Sequence, residues 1–299
     1  MSERHARTPR LRGAAVAALS AVLAATGLTA SPAAAAEPET GRYVALGDSF
    51  TSGPGIPGQD PDSGICGRSE RNYPALVAER LGVTSFTDVS CGGAVTDHMT
   101  TSQFGVEPQF RALSADTELV TVGIGGNDIG FAGIVLTCAF LAVFDRDGTP
   151  CTDHYTRGGT DTLEQRYAEA EPKVAAVLRG VKERAPGARV LLVGYPVLTP
   201  ASAQECAPGN PNADVYAHGD APYLHATQRS FNERLRKVAE ANGAAFVDTF
   251  ARSAGHDACQ AEGVRWVEGV LDVRDAFPVH PNALGMRASA DAVLDTLDR

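Results

Sequence analysis

The chain contains no C-x2-C pair and no H-E-x-x-H run, so the usual spacings of a zinc site are missing. One acidic run, Asp145-Arg-Asp147-Gly148, carries its glycine at the fourth position. An EF-hand loop needs it at the sixth, so calcium is not expected there. Positive charge is also lacking. The formal net charge is −10, and lysine is scarce beside arginine. That balance argues against nucleic acid or an anionic membrane as partner, while leaving neutral lipids and esters open. Beyond the first 36 residues no uncharged run reaches the length of a membrane span. There is no internal repeat, and no Pro/Ser-rich linker divides the body of the chain. A single domain over residues 37–299 is the expectation.

The first 36 residues have a different character. Arg4, Arg7, Arg10 and Arg12 form a basic leader, Gly13 to Ala30 is uncharged and rich in Ala, Leu and Val, and Ser31 to Ala36 supplies an A-x-A pattern. This is the pattern of a secretory signal peptide over residues 1–36, cleaved on export. No adjacent Arg-Arg pair is present in the leader, so twin-arginine export has no support. Removing the segment takes away a net +3 and moves the charge from −10 to −13. Six cysteines remain: Cys66, Cys91, Cys138, Cys151, Cys206 and Cys259. An even count in an exported chain reads as three disulfides, with fifteen pairings possible.

Short apolar runs alternate with helical patterns after residue 42. Tyr43 to Leu46, Val83 to Ser90, Glu118 to Ile124, Arg189 to Gly194 and Ala244 to Asp248 read as strands. Ser69 to Leu81, Asp161 to Arg184, Tyr223 to Ala241 and Ala283 to Leu297 read as helices, with Pro172 expected to kink or divide the second. Phe131 to Phe144 is apolar, and its periodicity does not decide between a helix and a substrate wall. Five strands alternating with helices predict a parallel sheet covered on both faces.

The polar clusters fall at the ends of these strands. Gly47-Asp48-Ser49 follows the first, Cys91-Gly92-Gly93 the second and Gly125-Gly126-Asn127-Asp128 the third. In a parallel sheet those ends share one edge, where ligands bind. Pro278-Val279-His280-Pro281-Asn282 precedes the last helix. A serine hydroxyl is a weak nucleophile that needs a base within hydrogen-bond reach, and neutral imidazole can take the proton and return it to a leaving alcohol. A tetrahedral oxyanion needs preorganised donors. Gly93 offers an N–H at close approach, Asn127 an amide and Ser49 its own backbone N–H. The rival serines Ser52 and Ser69 follow no strand and lie in no G-x-S-x-G context. His98, His154, His218, His225 and His256 read as surface or internally satisfied polar groups. Phe131, Ile134, Val135 and Leu136 are candidates for an acyl pocket, with ordinary core as the simpler reading of each.

Four blocks, Gly47-Asp48-Ser49, the glycine of Gly92-Gly93, Gly125-Gly126-Asn127-Asp128 and His280, stand in an order and spacing that resemble the SGNH (GDSL-type) hydrolase superfamily, over residues 42 to 297. Secreted actinomycete lipases and esterases of that family are the most similar in character. The resemblance implies an α/β three-layer α/β/α sandwich with a five-stranded parallel sheet. It implies Ser49 as nucleophile, His280 as general base and acid, and Ser49 N–H, Gly93 N–H and Asn127 as oxyanion donors. It also implies the pairing Cys66–Cys91, Cys138–Cys151 and Cys206–Cys259. One departure stands out: the family commonly has Asp three residues before the histidine, and here that position is Phe277, with Asp275 two residues earlier. A Ser49–His280 dyad is therefore expected, with a main-chain carbonyl, that of Phe277, accepting from the imidazole.

These readings together point to a secreted serine esterase or lipase acting on fatty-acyl esters through an acyl-enzyme, without cofactor or metal. It is expected to be a monomer, with no nucleic-acid partner and no stable membrane insertion. A carbohydrate O-deacetylase or phospholipase A on the same machinery, and a non-catalytic binding protein, are the alternatives.

Overall fold

The structure, a computed structural model, describes residues 41–299; the signal peptide expected over residues 1–36 lies outside the described residues. Five strands, β1 (Arg42–Gly47), β2 (Ser85–Asp88), β3 (Leu119–Gly123), β4 (Arg189–Val193) and β5 (Ala245–Val247), form one sheet of order β2-β1-β3-β4-β5. Every neighbouring pair is parallel. The helices are α1 (Ser49–Ser52), α2 (Tyr73–Leu81), α3 (Phe131–Ala142), α4 (Pro150–Tyr155), α5 (Thr162–Arg184), α6 (Ala221–Ala241), α7 (Thr249–Arg252) and α8 (Ala283–Leu297).

The period-two alternation of strand side chains sorts the core into two layers. Val44 and Leu46 of β1, Val120 and Val122 of β3 and Leu192 of β4 pack with Leu163, Val174 and Leu178 of α5 and Phe231 and Leu235 of α6. Tyr43, Ala45, Leu119, Leu191 and Val193 point the other way, onto Tyr73 and Val77 of α2 and Met286, Ala290 and Val293 of α8. This is a three-layer α/β/α sandwich. Fully burying each such Val or Leu contributes about 1.5–3 kcal/mol, so two covered faces supply most of the driving force.

Several boundaries differ from the sequence reading. β2 is shorter than Val83 to Ser90, and as an edge strand it pairs only with β1. α2 begins at Tyr73 rather than Ser69, because Asn72 caps it by accepting from Ala75 N–H at 3.0 Å. Phe131–Ala142 is helical. Pro172 does not divide α5, which is continuous. Both Pro172 and Ala168, whose carbonyl the proline leaves without its usual donor, are exposed, so water can satisfy that oxygen.

Three disulfides, Cys66–Cys91, Cys138–Cys151 and Cys206–Cys259, account for all six cysteines. The last spans 53 positions and ties the loop after β4 to the irregular stretch before the histidine. A loop of that length restricts the unfolded chain by about 4 kcal/mol in the chain-entropy picture. Replacing both Cys206 and Cys259 by Ser should lower the unfolding free energy by about 2–4 kcal/mol in urea titrations, with the α/β circular dichroism of the folded protein retained.

Candidate active site

Gly47 ends β1 at φ 155°, and a Cβ there would stand 2.6 Å from the Gly123 carbonyl oxygen of the neighbouring strand. Only glycine fits this approach. The chain then turns directly into α1. Asp48 caps it, accepting from Phe50 N–H at 2.9 Å, and Ser49 opens the helix. Gln109 holds Gly47 from the side: its amide accepts from Gly47 N–H at 2.8 Å and donates to Gly47 O at 2.9 Å. The hydroxyl is therefore mounted on a backbone pinned by the sheet, the cap and a buried glutamine.

Ser49 Oγ lies 2.7 Å from His280 Nε2, and His280 Nδ1 lies 2.8 Å from the carbonyl oxygen of Pro278. This corrects the expectation for Phe277. The Phe277 carbonyl instead accepts from the backbone N–H of His280 at 3.2 Å. Phe277 to His280 thus form a turn with Pro278 in the second place and Val279, at φ 62°, in the third. Proline followed by a positive φ is the type II pattern. It flips the central peptide and leaves the Pro278 oxygen free to meet the ring. Asp275 is exposed and has no hydrogen bond to His280. Burial holds the imidazole below its ordinary value of 6.5, partly offset by the Pro278 carbonyl. The ring is therefore neutral at pH 7, with Nδ1–H donated to Pro278 and Nε2 free to accept from the serine.

A left-handed conformation is costly for a β-branched residue, so Val279 must be held there. Its N–H donates to Glu268 O at 3.1 Å, and Glu268 N–H donates to His280 O at 2.9 Å. The Glu268 carboxylate is buried and accepts from the guanidinium of Arg265 at 3.0 Å and from Asn282 Nδ2 at 3.1 Å. Asn282 Oδ1 caps α8 through Leu284 N–H and Gly285 N–H. The histidine loop is fastened at both ends.

The expected donors sit on the loops after β2 and β3. Gly93 has φ 74°, a left-handed turn position suited to glycine. Gln103 Nε2 donates to Gly92 O at 2.8 Å. That fixes the plane of the Gly92–Gly93 peptide, whose N–H points opposite its carbonyl. Asn127 Nδ2 donates to Ala94 O at 2.9 Å, which leaves its second amide hydrogen uncommitted. Thr96 donates to Asp128 through both its N–H, at 3.0 Å, and its hydroxyl, at 2.6 Å. The loop carrying Gly93 and the loop carrying Asn127 are bound to each other.

Tyr195, just past β4, was not singled out from the sequence. Its buried hydroxyl donates to Asp48 Oδ2 at 2.6 Å and accepts from Gly126 N–H at 2.8 Å. It bridges the serine-bearing block and the asparagine-bearing block. Burial pushes the Asp48 carboxyl up to about 7, against the opposing pull of Tyr195 and Phe50 N–H. The signal that could have found Tyr195 is its place in Gly194-Tyr195-Pro196 at the carboxyl end of the fourth strand. The Arg265–Glu268 pair lies in a stretch without periodicity and left no such mark.

Beside Ser49 and His280 lies an apolar cavity of about 90 Å³, bordered by Phe50, Phe131, Ile134, Val135, Tyr195 and Phe231. The Phe50 ring is 4.8 Å from the His280 ring, centroid to centroid, and Phe131 is 6.3 Å from it. Ile134 and Val135 line it; Leu136, the fourth candidate, is largely exposed. Among the described residues no cluster of His, Cys, Asp or Glu could hold a metal.

The fold and site define a class: a parallel α/β sandwich carrying its polar cluster at the carboxyl edge of the sheet. Residues 45–288 match the model of the GDSL-like Lipase/Acylhydrolase family. The chain is 42% identical to Lipase 2 of Streptomyces coelicolor over 97% of its own length and 98% of that protein's. The structure is similar to that of phospholipase A1 from Streptomyces albidoflavus, with TM-score 0.71, 28% identity, and 86% of this chain and 99% of that one covered. The extracellular lipase of Streptomyces rimosus gives 0.64 and 29%, with the same coverage. The chain belongs to the GDSL-like lipase/acylhydrolase family, and with it to the carboxylic ester hydrolases.

Tyr195→Phe removes a hydroxyl that serves two buried groups, and an unpartnered buried polar atom costs about 1–3 kcal/mol. Unfolding free energy should fall by about that amount. Because both site blocks lose their shared tie, kcat should fall about tenfold while KM changes little, as for a group acting on the transition state. Steady-state kinetics on a soluble ester, beside a denaturant titration, measure both.

Proposed function

We propose that residues 37–299 form one secreted serine esterase or lipase domain that hydrolyses fatty-acyl esters through an acyl-enzyme on Ser49. The observation that carries this reading is the 2.7 Å approach of Ser49 Oγ to the free nitrogen of a neutral imidazole, beside an apolar cavity. Ser49 Oγ attacks the ester carbonyl carbon, and its proton passes to His280 Nε2. The oxyanion is met by the N–H groups of Ser49 and Gly93 and by the Asn127 amide. The tetrahedral species collapses, and the leaving alcohol takes the proton from the imidazolium. Water then attacks the acyl-enzyme with His280 again as base, and the acid departs. The Pro278 carbonyl, in place of a carboxylate, holds the ring in the tautomer this sequence needs.

The acyl chain would occupy the cavity bordered by Phe50 and Phe131. A phospholipid is the second reading, favoured by the similarity to a phospholipase A1; release of fatty acid from phosphatidylcholine against triacylglycerol separates the two. Export is supported by the three disulfides and by the similarity to an extracellular lipase.

Ser49→Ala and His280→Ala should each lower kcat by about three orders of magnitude or more, since members of such a unit fail together. Asp275→Asn should stay within about twofold of the parent, because a side chain in solvent with no bond to the ring has no tautomer to hold. An organophosphonate should label Ser49, located by peptide mass spectrometry. Full activity in Ser49→Ala, or a loss in Asp275→Asn equal to that in His280→Ala, would overturn the mechanism.

A further inference from the structure

Helix α3 has two apolar faces, and only one of them has a use so far. Its inner side, with Ile134, Val135 and Cys138, walls the cavity. Its outer side carries Ala132, Leu136 and Phe140, four residues apart, continued by Val143 and Phe144 in the turn beyond. Residues four apart share a helix face, so these form one stripe. Leu136 is 69% exposed, Phe140 63%, Val143 75% and Phe144 74%. Phe140 and Phe144 pack edge to face at 5.1 Å, which joins the two rings into one exposed patch. From Ile129 to Phe144 there is no charged residue; charge resumes at Asp145-Arg146-Asp147. A run of large apolar side chains left in water marks an interaction surface.

The occupant follows from where the helix starts. Phe131, the first residue of α3, lies 6.3 Å from the His280 ring, so the helix that carries the bare face starts beside the site. Phe277, also near the imidazole, is 56% exposed with its ring 6.4 Å away. The imidazole thus has a half-buried apolar ring, Phe131, and an exposed one, Phe277, beside it. The chain's net charge of −10 would oppose an anionic bilayer. We propose that the outer face of α3, from Leu136 to Phe144, seats the protein on the surface of aggregated neutral ester, so that an acyl chain passes from the droplet along Phe131 into the cavity without crossing water. This rests on the ester-hydrolase reading above and adds the physical state of the substrate.

The test uses the protein carrying Leu136→Ser, Phe140→Ser and Phe144→Ser together, none of which borders the cavity. Turnover of emulsified trioleoylglycerol should fall tenfold or more, while kcat/KM for dissolved p-nitrophenyl butyrate stays within twofold. Flotation with emulsion droplets, measured in the Ser49→Ala background, should be lost with the triple substitution. That binding readout does not depend on Ser49 being the nucleophile, so failure of the hydrolytic mechanism and failure of docking are seen separately. Equal loss on both substrates, unchanged flotation, or flotation only with anionic vesicles would overturn the proposal. A parent protein that sediments as a dimer, and a triple variant that sediments as a monomer, would assign the face to a second copy instead. The circular dichroism melt of the triple variant controls for folding.

Discussion

A hydroxyl and an imidazole separated by 231 positions must meet within hydrogen-bond reach. Neither end can be mobile, because a loop free to wander would lose the contact to conformational entropy. The serine end is rigid because β1 is buried on both faces and its last glycine lies against β3. The histidine end has no strand to lean on. It is held by a buried ion pair, Arg265–Glu268, whose carboxylate also receives Asn282 and the backbone N–H of Arg274. Such a pair adds little net stability, because desolvation offsets attraction. Its value here is geometric. Removing either partner would leave a buried charge, so the loop has one well-satisfied arrangement. That arrangement keeps Val279 at a positive φ and the Pro278 carbonyl on the ring.

The parts of this molecule legible in sequence are those that rest on side-chain periodicity. Five apolar runs became five strands because each is covered on both sides or packed against a neighbour, and the serine, glycine and asparagine blocks followed from their ends. Residue identity also marked His280. The acceptor for its Nδ1–H was misassigned by one residue because every residue carries a carbonyl, and only the turn type decides which one is free. Proline at the second place is compatible with either turn type; the deciding feature, a positive φ at valine, runs against local preference and is imposed by tertiary contacts. Pro172 is the opposite case. Local preference predicted a kink or a division, and an exposed position, where water can serve the freed carbonyl, let the helix continue undivided. Tyr195 and Gln109 were missed because their importance lies in what their polar tips reach across the sheet edge, which no spacing along the chain encodes.

A carbonyl in place of a carboxylate behind the histidine has an electrostatic consequence. An ionised carboxylate would favour the imidazolium that forms during proton transfer, whereas a neutral carbonyl favours it less. Burial already holds the imidazole below its ordinary value, and the Pro278 carbonyl offsets that only in part. In the proposed mechanism the compensation has to come from the other charge that develops, the oxyanion. The loops on that side are correspondingly over-determined. Gln103 fixes the Gly92–Gly93 peptide, Asn127 is clamped to Ala94, Asp128 takes two bonds from Thr96, and Tyr195 joins Gly126 to Asp48. Donors that need not reorganise as charge appears lower a barrier more than donors that must turn to meet it. The polar groups spent on holding these loops are thus the counterpart of the aspartate that the histidine lacks.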